Sequence, residues 1–386
     1  MKICRDFLTK ALRLVPFLTL AACGGERGIP EASSTLVTDV QHSAVKRQAI
    51  GNCWLYAAAS WIESLSLKAG DPEMDISESY WTWWYFYEQI LADSAISEVD
   101  TGGSWRRARD LILRHGFILE DQFLPAETGL EMSQAQAQAT LSINQQLKVG
   151  GALADPLSRT PERVERELDR AFGSTMRLAR SKARMPDGLT IGRSVDGERI
   201  TLARALVGNP LQAWREVSFP RLYGEAEIPS PQVLAARHKL LSRVFRALNA
   251  REPVVMSVMI DFNGLDITDA TFKGQLLKRN RLGKQGAHML PLEDYTVQNV
   301  PGWGTVGRGD LSPQVKEAAV SGDLDRLVAK NSWGTKRPER GLTDGYTGFD
   351  AAYLMSQFPW KNDENSPAAG ISWYTSLTSF ILPPGY

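Results

Sequence analysis

The sequence predicts an α+β protein, a helical half followed by a sheet half. Three observations carry this. Segments with helix-start and helix-stop residues crowd the stretch from Asn52 to Ala250. Segments rich in β-branched residues and bounded by polar turns fall after Glu252. No internal repeat breaks the chain into a solenoid or an alternating array.

The elements follow in order. Gly24 to about Ser43 is polar and carries Gly, Pro and Ser, as a tether does. A first helix opens at Cys53 behind Asn52, a good N-cap, and runs through Ala- and Leu-rich sequence to Lys68, with Gly70 beyond it. A second starts behind Ser77. Its aromatic run "WTWWYFY" is expected to form a buried helix face and rim rather than a ligand cage. A third spans "SWRRARDLILRHG", with Gly116 as its stop. From about Pro125 to Glu227 the texture becomes polar and helix-forming. "EMSQAQAQATLSINQQLK" is helical in propensity, and "TPERVERELDRAFG" has Thr160 as N-cap, Pro161 at the first helical position and Gly173 as stop. "SPQVLAARHKLLSRVFRALNA" repeats that grammar with Ser230 and Pro231. The Arg/Glu-rich runs at 161–170 and 235–246 read as solvated helix faces. Strands are expected at "PVVMSVMID" and around "AHMLPLEDYTV" and "RLVAKNSW".

The chain has 386 residues, 44 basic and 44 acidic. With no basic block and no acidic tail, it offers nothing to a nucleic acid. At the start, Lys2, Arg5, Lys10 and Arg13 precede the apolar run "LVPFLTLAAC", too short to span a bilayer as a mature helix. "LAAC" resembles the lipobox of bacterial lipoproteins. That resemblance implies a lipid on Cys23, a membrane anchor through it, and, with Gly24 following, the outer membrane. A plain secretory signal cut near Ala22 is the other reading.

If so, Cys4 leaves with the signal and Cys23 carries lipid, so Cys53 alone of the three cysteines remains a free thiol. A thiol kept in an oxidising compartment is a liability unless buried or used. No tight His/Cys spacing supports a metal site, and no cofactor motif is present. At a helix start, free N–H groups and the helix dipole favour a thiolate. A thiolate nucleophile needs a partner base, and the base an orienting group. His288 lies in a strand context, "QGAHMLPLEDY", and Asn331 begins "NSWGT" downstream. An indole at Trp333 can keep water from an Asn–His hydrogen bond. Gln48, five residues before Cys53, carries an amide donor suited to an oxyanion. His42, His115 and His238 receive no role.

In the order Gln, Cys-Trp, His, Asn-Ser-Trp-Gly, these motifs resemble papain-like cysteine peptidases. "VKRQAIGNCW", "AHM", "KNSWGT" and "GLTDGYTGF" resemble the family's oxyanion-and-nucleophile, histidine, asparagine and following-strand segments. "GNCWLYAAAS", "ISESYWTWWYFYEQI" and "TGGSWRRARDLILRHGFI" resemble bleomycin hydrolases and bacterial aminopeptidase C proteins. The resemblance covers about 45–120 and 230–355. It implies a papain-like two-lobed fold over 45–386, a helical insertion at about 125–228, and hydrolysis of peptide or protein substrates through an acyl-thioester. By residue, it implies Cys53 as nucleophile, His288 as proton acceptor then donor, Asn331 as orienter, Gln48 with the Cys53 N–H as oxyanion hole, and Trp333 as shield. Gly102 and Gly103 would hold an extended substrate by its backbone, although a plain turn also explains them.

The chain departs from the family in places. The Gln-to-Cys loop is one residue short. His288 lies 235 positions after Cys53, against about 130–150 in papain-type chains. A papain-fold binding protein without catalysis and a cell-wall amidopeptidase stay open as alternatives. Aminopeptidase action and an oligomer are not carried over.

Overall fold

The structure is a computed structural model. It describes residues 40–193, 198–209, 212–222, 228–307, 312–361 and 371–386. Cys23 and the lipobox lie outside the described residues.

The helical half begins with α1 (Cys53–Lys68), α2 (Glu78–Ala92) and α3 (Trp105–His115). Ser77 and Ser104 cap α2 and α3 through Tyr80 N–H and Arg107 N–H, as their sequence positions imply. Asn52 sits at the start of α1 but does not cap it. Its side chain is buried and donates to Thr82 Oγ1 and Gln136 Oε1 instead. The first N–H groups of α1 are therefore left without a side-chain acceptor.

The aromatic run of α2 is core. Trp81, Trp83, Trp84, Tyr85 and Phe86 are all buried, and no cage forms. α4 (Gln134–Leu147) and α5 (Pro161–Phe172) follow, the latter capped by Thr160 and closed by Gly173 with φ +66°. Leu147, Val164, Leu168 and Phe172 enter the same apolar core as α1 and α2. These two helices of the 125–228 stretch are thus packed into the helical lobe.

The stretch also ends in an element that the sequence reading did not contain, β1 (Arg215–Ser218). α6 (Pro231–Asn249) leads into the sheet, whose other main strands are β2 (Val255–Asp261), β3 (Gln285–Val300), β4 (Asp323–Lys330), β5 (Tyr346–Asp350) and β6 (Leu377–Leu382). Among the described residues the sheet has nine strands, with the run β1-β6-β2-β3-β4-β5 starting from its β1 edge, antiparallel throughout that run. A second core lies under it, built on Leu248, Met256, Leu290, Tyr295, Leu327 and Phe349. The α+β, two-lobed layout expected from the sequence is the one observed.

Some local expectations change. β4 ends at Lys330, so Asn331 to Trp333 leave the strand. Val40 and Ser43, read as the end of a tether, are buried. In the 235–246 run Arg237 is buried, donating to the Pro220 carbonyl and Thr375 Oγ1. In the 161–170 run Glu167 is buried and pairs with Arg170. No helix of the described residues is long and apolar enough to cross a membrane.

Candidate active site

α1 packs its N-terminus against β3, which places Cys53 beside Ala287, His288 and Met289. The Cys53 Sγ lies 3.9 Å from the Ala287 carbonyl oxygen, its hydrogen-bond acceptor. Cys53 and His288 line one cleft of about 350 Å³ between the lobes. A larger apolar groove, about 1130 Å³, lies on the sheet lobe and contains none of this set.

His288 is buried, and its Nε2 is 2.9 Å from Asn331 Oδ1. The same Oδ1 accepts the Ser332 N–H at 2.8 Å, while Asn331 Nδ2 donates to Thr347 Oγ1 at 2.7 Å. An N–H on one side and a hydroxyl on the other fix which end of the amide is oxygen. The imidazole must then carry its hydrogen on Nε2, leaving the Nδ1 lone pair for the cleft. Trp333 stacks on the imidazole at 5.1 Å and 15°, with Phe262 stacked on the indole at 5.4 Å. Arg340 sits 4.5 Å from the Trp333 ring. The Trp333 indole thus lies over the His288 ring.

Burial decides the resting protonation. It pushes the Cys53 thiol up to about 11 against opposing backbone hydrogen bonds at Met289, Trp54 and Cys53 itself. It pushes His288 down to about 4, against the Asn331 hydrogen bond. The helix-start argument, which favours a thiolate, is overridden here by desolvation. Burial thus favours the neutral form of both groups in the unliganded pair.

Gln48 is placed differently from its expected role. Its Nε2 donates to the Ile50 carbonyl at 2.7 Å within its own loop, and its Oε1 accepts from Ser332 Oγ at 2.6 Å. It does not line the cleft, whereas Gly51, Cys53 and Trp54 do. The short loop turns the amide inward, and Gln48 here ties the loop to the asparagine segment.

The two glycines also separate. Gly102 spends its N–H on Asp100 Oδ1 at 2.8 Å and its carbonyl on the Tyr85 hydroxyl at 2.6 Å. Gly103 has neither group paired among the described residues and faces the cleft. A Cβ on Gly103 would meet the Trp54 indole at 2.3 Å, which explains the glycine. Trp54 in turn donates Nε1 to the Thr101 carbonyl at 2.9 Å, bracing the loop. The backbone edge expected at both glycines is offered by Gly103 alone.

Sequence reading missed the supports. Thr347 is an ordinary strand threonine until β5 brings it to Asn331. Lys330 is buried, its ammonium bonded to Ser43 Oγ and Ser60 Oγ at 2.9 Å each, and Ser43 passes the contact to Glu63. Desolvation pulls Lys330 down to about 8, with Glu63 opposing. Lys46 lies nearby, where burial opposes its charge but Glu78, Glu63, Asp75 and Glu120 together hold it well above the usual lysine value. This network fastens the segment before Gln48 to both lobes. No local pattern announces charged residues in a core.

No family model matches the chain, and no curated protein does. Solved structures give distant likenesses. One is to PepW from Lactobacillus rhamnosis, at 14% identity and TM-score 0.43, covering 90% of this chain and 82% of that one. Another is to xylellain, a cysteine protease from Xylella fastidiosa, at 13% identity and TM-score 0.33, covering 88% and 85%. A third is to procathepsin L 3 of Tenebrio molitor larval midgut, at 13% and 0.34, covering 93% and 71%. At these TM-scores the likenesses carry no argument.

Proposed function

We propose that the chain is a papain-like cysteine peptidase that hydrolyses peptide bonds through an acyl-thioester on Cys53. One observation carries the reading. A tautomer-locked imidazole, bonded to Asn331 at 2.9 Å and roofed by Trp333, shares a cleft with a lone thiol at a helix start.

The steps follow from the groups in place. Gly103 pairs with the substrate backbone. Cys53 Sγ attacks the scissile carbonyl and its proton passes to His288 Nδ1, the nitrogen Asn331 leaves free. The oxyanion is met by the Cys53 N–H, a first-turn donor of α1 that no cap side chain engages. The imidazolium gives its proton to the leaving amine as the C–N bond breaks, which leaves the acyl-thioester. Water, deprotonated by His288, then releases the acid and regenerates the thiol. The neutral resting pair makes His288 a general base that acts during attack.

Cys53→Ala should abolish peptide hydrolysis while leaving the thermal unfolding midpoint within about 2 °C of wild type. Undiminished hydrolysis in that variant sinks the reading. The rival, a papain-fold binding protein, is favoured by the inward turn of Gln48. It predicts ligand binding with no hydrolysis by wild type.

The same proposal places the enzyme at the bacterial envelope, tethered through a lipid on Cys23. The run from Leu14 to Cys23 supports this. Cys23→Ala should move the protein from the membrane fraction to the soluble one, and unchanged fractionation counts against the anchor.

A further inference from the structure

The last strand of the 125–228 stretch reaches the cleft. β1 extends the sheet beyond β6, so that Met289 (β3), Ser257 (β2), Ser379 (β6) and Ser218 (β1) lie opposite one another in a row. All four line the cleft. Three strand spacings of about 4.8 Å put β1 roughly 14 Å from the histidine strand. Three serines in that row leave the trough unfilled, where larger side chains would close it.

Glu216 of β1 stands at the far end. It is exposed, lines the cleft, and accepts the Ser379 hydroxyl at 2.9 Å, which holds the carboxylate over the row. No ion pair involving Glu216 is found among the described residues. The other charged cleft residue, Arg221, is partly buried and already engaged. Trp54 and Trp105 supply aromatic surface to the same cleft.

We infer that Glu216 sets specificity: the cleft takes peptides with a lysine or arginine beside the scissile bond, the long cationic side chain running along the serine row to the carboxylate. This rests on the peptidase reading. A charge-assisted hydrogen bond is the strongest kind available in that trough, and a guanidinium matches a carboxylate in two-point geometry. Its apolar stem and planar head also suit aromatic walls.

The test uses the protein from Gly24 onward with a proteome-derived peptide library, reading cleavage sites by mass spectrometry, followed by kinetics on a matched pair of peptides. The pair differs only in arginine against norleucine at the enriched position. Wild type should cleave beside Lys or Arg. Glu216→Gln should lower the arginine-to-norleucine ratio of kcat/KM by roughly ten- to a hundredfold. Glu216→Lys should turn the preference toward Asp or Glu. Cys53-dependent cleavage with no basic preference, or a ratio that Glu216→Gln leaves unmoved, overturns the inference and leaves the peptidase reading standing. No Cys53-dependent cleavage at all overturns the peptidase reading, and the specificity with it.

Discussion

Replacing Asn331 by alanine tests the core of the site, because the structure gives its amide three jobs at once. Oδ1 accepts from His288 Nε2 and from the Ser332 N–H, and Nδ2 donates to Thr347. Asn331, His288 and Ser332 are all buried, so Asn331→Ala strands two N–H donors away from water. Each stranded buried donor costs about 1–3 kcal/mol, which predicts a loss of roughly 2–6 kcal/mol in unfolding free energy. The imidazole also loses what fixes its tautomer and plane. A loss of about a hundredfold in kcat/KM is expected, equivalent to about 2.7 kcal/mol of transition-state stabilisation. Urea unfolding with an unchanged m-value measures the first, and peptide hydrolysis by the folded fraction measures the second. Thr347→Val, which removes only the outer acceptor, should fall between wild type and Asn331→Ala in both. A variant that loses less than about 0.5 kcal/mol and keeps its kcat/KM would refute the argument that this amide organises the histidine.

Other consequences are open to measurement. Gly103→Ala forces a Cβ to 2.3 Å from Trp54 and should raise KM and cost about 1–3 kcal/mol, whereas Gly102→Ala meets Asp100 at 3.3 Å and should be milder on both counts. Lys330→Met leaves Glu63 without the cation that Ser43 relays to it, and should lower stability by roughly 3 kcal/mol in chemical denaturation. His288 binds its proton less readily folded than unfolded. Its contribution, about 3 kcal/mol, is therefore complete above pH 6.5 and lost as pH falls to about 4, and His288→Leu should flatten that part of the stability–pH curve. With the thiol raised to about 11, iodoacetamide labelling of Cys53 should keep rising with pH beyond 9. A plateau between pH 5 and 8 that disappears in His288→Ala would show a preformed ion pair instead.

Much of the helical half was legible because its signals are local. Ser77, Ser104, Thr160 and Ser230 each cap the helix that follows, and Gly116 and Gly173 stop theirs with positive φ. Asn52 has the right residue type at the right place, yet tertiary hydrogen bonds to Thr82 and Gln136 outbid the cap. β1 was invisible because "REVS" has one apolar residue, and only pairing with β6 makes it a strand. Cys53, His288, Asn331 and Trp333 were legible as an ordered set of residue types, and the structure gathers them around the histidine. Their supports were not, because Thr347, Ser43 and Glu63 become meaningful only once distant segments meet. The inward turn of Gln48 and the spent backbone of Gly102 depend on loop geometry that no spacing encodes.

Cys53 should form a covalent acyl intermediate with His288 as its base. The direct measurement is intact mass after acid quench of the protein from Gly24 onward, mixed with a peptide nitrophenyl ester carrying arginine as the acyl residue. The expected result is a single added acyl group that maps to Cys53, decays with peptide-acid release, and is absent in Cys53→Ala and at least a hundredfold slower to form in His288→Ala. A folded wild-type protein that acquires no acyl group, or acquires it equally fast without His288, would rule out Cys53–His288 acyl transfer.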